Sequence, residues 1–153
     1  ENEKKTGVTI IRMDSEMDHG PVIAMKDVIV EPWPPRAEVL GNEIVKTGSE
    51  LLVSILPDWI SGKLPEIEQD HSKATFTKKI EKEDGLIDLN DDGYKNYLKI
   101  QAYHGWPSAF FFIEKDGKKI RVKITQAAFI DGKLLIEKVI PEGKSEMDYA
   151  NLV

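Results

Sequence analysis

The sequence has no cysteine, which excludes disulfides and thiolate metal sites and makes a cytoplasmic setting the expectation. No apolar run approaches the ~20 residues that a membrane-crossing helix needs. The opening Glu1-Asn2-Glu3-Lys4-Lys5 lacks the apolar stretch of a signal peptide, so no membrane partner is expected. An initial Met is also missing, and a strand-like run begins almost at once; the chain reads as a fragment. Basic excess is absent, with a net charge of −6, which argues mildly against nucleic acid as a partner. That deficit is uneven: residues 1–74 carry 8 Lys+Arg against 14 Asp+Glu, whereas residues 75–153 carry 13 against 13. The second half is therefore free to hold a basic face. What is present is ordinary globular material, 41% hydrophobic and 31% charged over 153 residues, enough for one core or two small ones.

Thr6 to Met13 and Val22 to Val30 are rich in Val, Ile and Thr and predict strands. Glu31-Pro32-Trp33-Pro34-Pro35 ends the second, because proline removes donors and fixes φ. A helix is expected from about Pro35-Arg36. Its residues Leu40, Ile44, Leu51, Leu52, Ile55 and Trp59 form one packed face, Pro57 breaks or kinks it, and Ser61-Gly62-Lys63 ends it. From Leu64 the chain turns polar and reads as an extended linker. Gly93 to His104 predicts a short helix capped by Asp91 or Asp92, with Tyr94, Tyr97, Leu98 and Ala102 on one side. Ala109–Glu114, Lys119–Gln126 and Leu134–Val139 then predict strands joined by Asp-Gly turns, as in a small barrel or curled sheet, with a helical turn near Asp148–Leu152.

Between the first two strands lies Met13-Asp14-Ser15-Glu16-Met17-Asp18-His19-Gly20-Pro21, with carboxylates at every second position. A calcium loop needs Gly at its sixth position and Glu at its twelfth. Counted from Asp14, those positions hold His19 and Met25, so no metal is expected. The bland alternative is a solvated acidic turn. The functional one is an active-site loop, in which Asp18, held just before the Gly20-Pro21 corner, orients a catalytic histidine or tunes its pKa.

Thr6-Gly7-Val8-Thr9-Ile10, Met13-Asp14, Met17-Asp18, Gly20 and Pro21 together resemble the folate-loop signature of the formyltetrahydrofolate-dependent formyltransferases. The likeness continues in order through Leu56-Pro57, Gly62-Lys63-Leu64, Ala74–Ile80, Asp84–Asp88, Gln101–Pro107 and Ile140–Lys144. Within the family it is greatest to the branch that formylates initiator methionyl-tRNA. A sugar-nucleotide N-formyltransferase is the second reading, and a non-catalytic RNA- or protein-binding module the third.

The resemblance implies an α/β + β chain. Residues 1–64 would be the C-terminal part of a Rossmann-like formyltransferase domain (strand-loop-strand-helix), 65–74 a linker, and 75–153 a small OB-like β-barrel domain. It implies 10-formyltetrahydrofolate as co-substrate, with no metal, and Asp18 as the residue that orients the catalytic histidine. Met13, Asp14, Ser15, Glu16, Met17, His19 and Gly20 would wall the folate pocket, His19 standing where the family has a small residue or Thr. The family's catalytic Asn and His lie upstream and are absent here, so the isolated chain is expected to be inactive. His71 and His104 fall outside the catalytic positions. Lys119, Arg121 and Lys123 alternate with Ile120, Val122 and Ile124, which puts the cations on one strand face suited to tRNA phosphates. Lys144 joins them as a candidate; the alternative is a solubilising edge strand. Gln101 and Gly105 depart from the family's Arg and Pro. Trp33, Trp59 and Trp106 are expected in packing roles.

Overall fold

The computed structural model describes residues 2–152. The chain divides into two compact units, one of Glu3–Trp33 with Val39–Lys78, the other built mainly from residue 79 onward.

In the first unit β1 (Thr6–Ile11) and β2 (Val22–Val28) pair antiparallel, and the register slips between Ile10 and Ile11 where the acidic loop departs. Helix α1 (Ala37–Ile60) follows. Leu40, Ile44, Leu51, Ile55 and Trp59 are half-buried along one stripe, but Leu52 is exposed. At ~100° per residue Leu52 lies at the edge of that stripe, close to the direction of Trp59, whereas Val53 and Ile60 point away from it and are exposed. Pro57 does not break α1. It sits in the last turn, where it forfeits one hydrogen bond near an exposed end, and its own carbonyl still accepts from Ser61 N at 3.2 Å. The polar stretch after α1 is not a free linker. Ile67 exchanges two backbone hydrogen bonds with Val22, of 2.8 and 2.9 Å, and a short 3₁₀ turn at His71–Lys73 is capped by the Asp70 side chain.

In the second unit Asp92 caps α2 (Gly93–Ala102), accepting from Lys95 N at 2.8 Å. The face that α2 buries is partly polar: Asn96, Ile100 and Gln101 are buried, while Ala102 is exposed. Asn96 is satisfied because its Nδ2 donates to the Asp88 carbonyl at 2.6 Å. Strands β3 (Phe110–Lys115), β4 (Lys118–Ile130), β5 (Lys133–Pro141) and β6 (Met147–Asp148) follow as an antiparallel meander in the order β3-β4-β5-β6. Asp116-Gly117 and Asp131-Gly132 close the first two hairpins. Both residues of each turn have positive φ (53° and 72°, 50° and 75°), the conformation that matches strand twist and favours Asp-Gly.

β4 is one strand of 13 residues rather than two pieces, because register shifts around Gln126 bend it without ending its pairing. The expected closed barrel is not found. Among the described residues the sheet is open, with β3 and β6 as its outer strands. Ile87, Ile100, Ala109, Phe111, Val122, Ile124, Val139 and Leu152 form its core, with Val122 and Val139 fully buried.

Candidate functional site

Arg12 N donates to the Pro21 carbonyl at 3.0 Å and closes the neck of the acidic loop. This closure requires glycine at position 20. A Cβ there would lie 1.8 Å from the Arg12 carbonyl oxygen. Within the loop Asp14 is fully used: Oδ1 accepts from Glu16 N at 2.9 Å and Oδ2 lies 2.7 Å from His19 Nδ1. An ionised carboxylate can only accept, so Nδ1 carries the proton. The hydrogen bond to Asp14 raises the His19 pKa from its ordinary value, and the bond to His19, with that from Glu16, lowers the Asp14 carboxyl.

A second segment completes this arrangement. Gln69 Nε2 donates to the carbonyls of Asp18, at 2.9 Å, and Gly20, at 2.6 Å. The His71 ring stacks on His19, with centroids 3.7 Å apart and planes within 5°. Arg12 is tied to Glu66 by an ion pair of 2.8 Å, and Glu66 also accepts from Trp59 Nε1 at 3.4 Å. Loop and segment enclose a cleft of about 600 Å³ that Glu16, Met17, Asp18 and His19 line from one side and Gln69 and His71 from the other. Asp18 holds a left-handed backbone (φ 54°) at its rim.

The loop residues singled out in the sequence thus divide. Glu16, Met17, Asp18 and His19 face the cleft. Met13 instead lines a smaller apolar cavity with Ile10, Leu52 and Trp59. Asp14 is committed to His19, Gly20 is buried at the neck, and Ser15 is exposed. His71, set aside in the sequence, belongs to this site. Gln69 has no motif around it. Neither carries a local signal, because each meets the loop across about fifty residues of chain. No group of three or more His, Cys, Asp or Glu side chains suited to a metal occurs among the described residues.

Lys119, Arg121 and Lys123 share the outer face of β4, opposite buried Val122 and Ile124. Arg121 lies over the Phe110 ring at 3.8 Å and Lys119 over Phe112 at 4.3 Å, so aromatic rings from β3 hold two of the cations. Lys123 and Arg121 border a hollow with Glu142. Lys144 is not on that face and borders a separate cavity with Ile113 and Met147. Trp106 is 58% exposed rather than packed.

Residues 79–133 match the family model described as formyl transferase, C-terminal domain, and the chain belongs to the formyltransferase family. A methionyl-tRNA formyltransferase of Chloroflexus aurantiacus is 38% identical over 130 residues, covering 85% of this chain and 41% of that protein. The solved structure of methionyl-tRNA formyltransferase from Clostridium thermocellum aligns with TM-score 0.64 and 25% identity, over 90% of this chain and 56% of that one. HypX from Aquifex aeolicus in complex with tetrahydrofolic acid shares the fold, with TM-score 0.69 and 20% identity over 97% of this chain and 30% of its own. The chain spans about two fifths of the length of the curated relatives it matches.

Proposed function

We propose that this chain is the C-terminal part of a cytoplasmic methionyl-tRNA formyltransferase, which transfers a formyl group from 10-formyltetrahydrofolate to the amino group of initiator methionyl-tRNA. The observation that carries the reading is the 38% identity over 130 residues to an enzyme of that name. In this reading Asp18 orients the histidine that accepts the amine proton and stabilises its charged form. That histidine and its Asn companion come from the part of the protein that precedes Glu1, so the chain alone is inactive. The cleft offers exposed Met17 for the flat pterin and the loop backbone for its polar edge. The curled sheet would be an OB-like domain, a reading supported by the bend in β4, and Lys119, Arg121 and Lys123 would contact tRNA phosphates.

The test uses the full-length protein that contains this chain. Formylation of methionyl-tRNA is expected, with an amino-sugar nucleotide untouched; the reverse preference overturns the acceptor. Asp18→Asn is expected to collapse turnover while folate binding survives. A near-normal rate would remove the role given to Asp18. Replacing Lys119, Arg121 and Lys123 by Ala should weaken tRNA binding and lower its salt dependence by up to about three phosphate contacts. Salt dependence equal to wild type rejects the basic face and favours a solubilising one.

A further inference from the structure

We infer that Gln69 is a positioning residue: its side-chain amide holds the backbone of Asp18 to Gly20 in the one arrangement that aims Asp18 into the cleft. The inference rests on the role proposed for Asp18. Both acceptors of Gln69 are carbonyls, so only the NH₂ group can face them, and its two hydrogens are both used, at 2.9 and 2.6 Å. The two carbonyls flank His19, and satisfying both from a single nitrogen requires them to converge. That convergence accompanies the left-handed φ of 54° at Asp18, a conformation that aspartate tolerates better than most residues.

Gln69 is itself held on either side. Two residues before it, Ile67 is bonded to Val22 at the foot of the loop, and two residues after it, His71 stacks on His19. Its amide is therefore delivered to the loop rather than searching for it. Gln69 is half-buried, whereas its neighbours Glu68 and Asp70 are exposed. The Asp18 carboxylate plays no part in these bonds, which run to its carbonyl. Gln69 thus acts on the direction of Asp18 and leaves its chemistry free. Misplacing a reacting group by about an ångström lowers rates roughly 100-fold, which sets the scale of the effect.

Three variants of the full-length protein separate this role from a general structural one. Gln69→Met keeps length and volume without a donor; Gln69→Lys restores N–H donors at similar reach; Asp18→Asn removes the group being positioned. In Gln69→Met, kcat should fall roughly 10- to 100-fold while KM for the folate changes less than about 3-fold. Gln69→Lys should recover most of the loss. Placed on Asp18→Asn, Gln69→Met should add less than about a 2-fold loss, because it acts through Asp18. An equal loss on both backgrounds overturns the inference, as does Gln69→Met with wild-type kcat or a Lys variant as slow as Met.

Amide exchange at His19 and Gly20 reads the clamp without activity. It should speed up at least about 10-fold in Gln69→Met and return in Gln69→Lys, and unchanged exchange overturns the clamp. If Asp18→Asn turns over normally, the role of Asp18 fails on its own account, and the exchange result still decides whether Gln69 holds the loop.

Discussion

Gly20→Ala tests the geometry of the loop most directly. The added Cβ would sit 1.8 Å from the Arg12 carbonyl oxygen and 3.0 Å from its carbon, where real Cβ atoms stay at least 3.0 Å from any such atom. The clash is with backbone, so no side chain can swing away. Either the neck opens by more than an ångström or the loop leaves its place. Opening the neck breaks the 3.0 Å bond from Arg12 N to the Pro21 carbonyl and pulls the Gly20 carbonyl from Gln69. Overpacking costs about 1–3 kcal/mol and each of the two lost hydrogen bonds about 1 kcal/mol, so a loss of roughly 3–5 kcal/mol is expected. For a unit of this size that is roughly 12–40 °C in the melting temperature of β1 and β2. The assay is heat or urea unfolding followed by NMR signals from residues 6–28, with Gly41→Ala as the control. Gly41 lies within α1 with nothing inside 4 Å of an added Cβ, and alanine there should stabilise the helix by about 0.5–1 kcal/mol. A Gly20→Ala protein that melts within about 2 °C of wild type, with loop shifts unchanged, would refute the steric argument.

Two further expectations follow from named contacts. The Asp14–His19 pair raises the His19 pKa and lowers that of Asp14, so its contribution to the loop is limited at both ends of the pH scale. The His19 part is complete below the unfolded histidine value, ~6.5, and fades as pH rises through the raised folded value. The Asp14 part is complete above the unfolded value, ~4, and fades as pH falls through the lowered folded one. Loop amides should therefore exchange slowest between about pH 4 and 6.5, once intrinsic rates are divided out, and His19→Gln should flatten that profile; an unaltered profile rules out the pair. In the second unit, Asn96→Leu leaves the Asp88 carbonyl without its 2.6 Å partner and should cost about 1–3 kcal/mol in urea unfolding. A neutral substitution would mean that water or another donor replaces the amide.

Much of the fold was legible because it depends on neighbours in sequence. Alternation in Lys119–Ile124 predicts which face is buried, and Val122 and Ile124 are buried. Asp-Gly at 116–117 and 131–132 marks two hairpins because those residues tolerate positive φ. Asp92 caps α2 because its side chain reaches an amide three residues on. The run from Thr6 to Pro21 likewise carries its family likeness locally. Local reasoning failed where a residue answers to distant partners. Pro57 suggested a break, but its place in the last turn makes it tolerable. Asn96 and Gln101 are polar, and pattern alone keeps them off the buried face of α2, yet the Asp88 carbonyl gives Asn96 a partner that makes burial acceptable.

By itself, then, the sequence determined most of the strands, the hairpin turns, the acidic loop and the family to which they belong, since all are written in short-range pattern and in residue order. Tertiary structure alone decided that the polar stretch after α1 returns to the loop, that His71 stacks on His19, and that Gln69 grips the carbonyls around it. Those partners stand some fifty residues away and act through a side-chain amide and a ring, groups that are as common in a solvated loop as in a site. Only their placement in space, set by the Ile67–Val22 pairing, gives them a role.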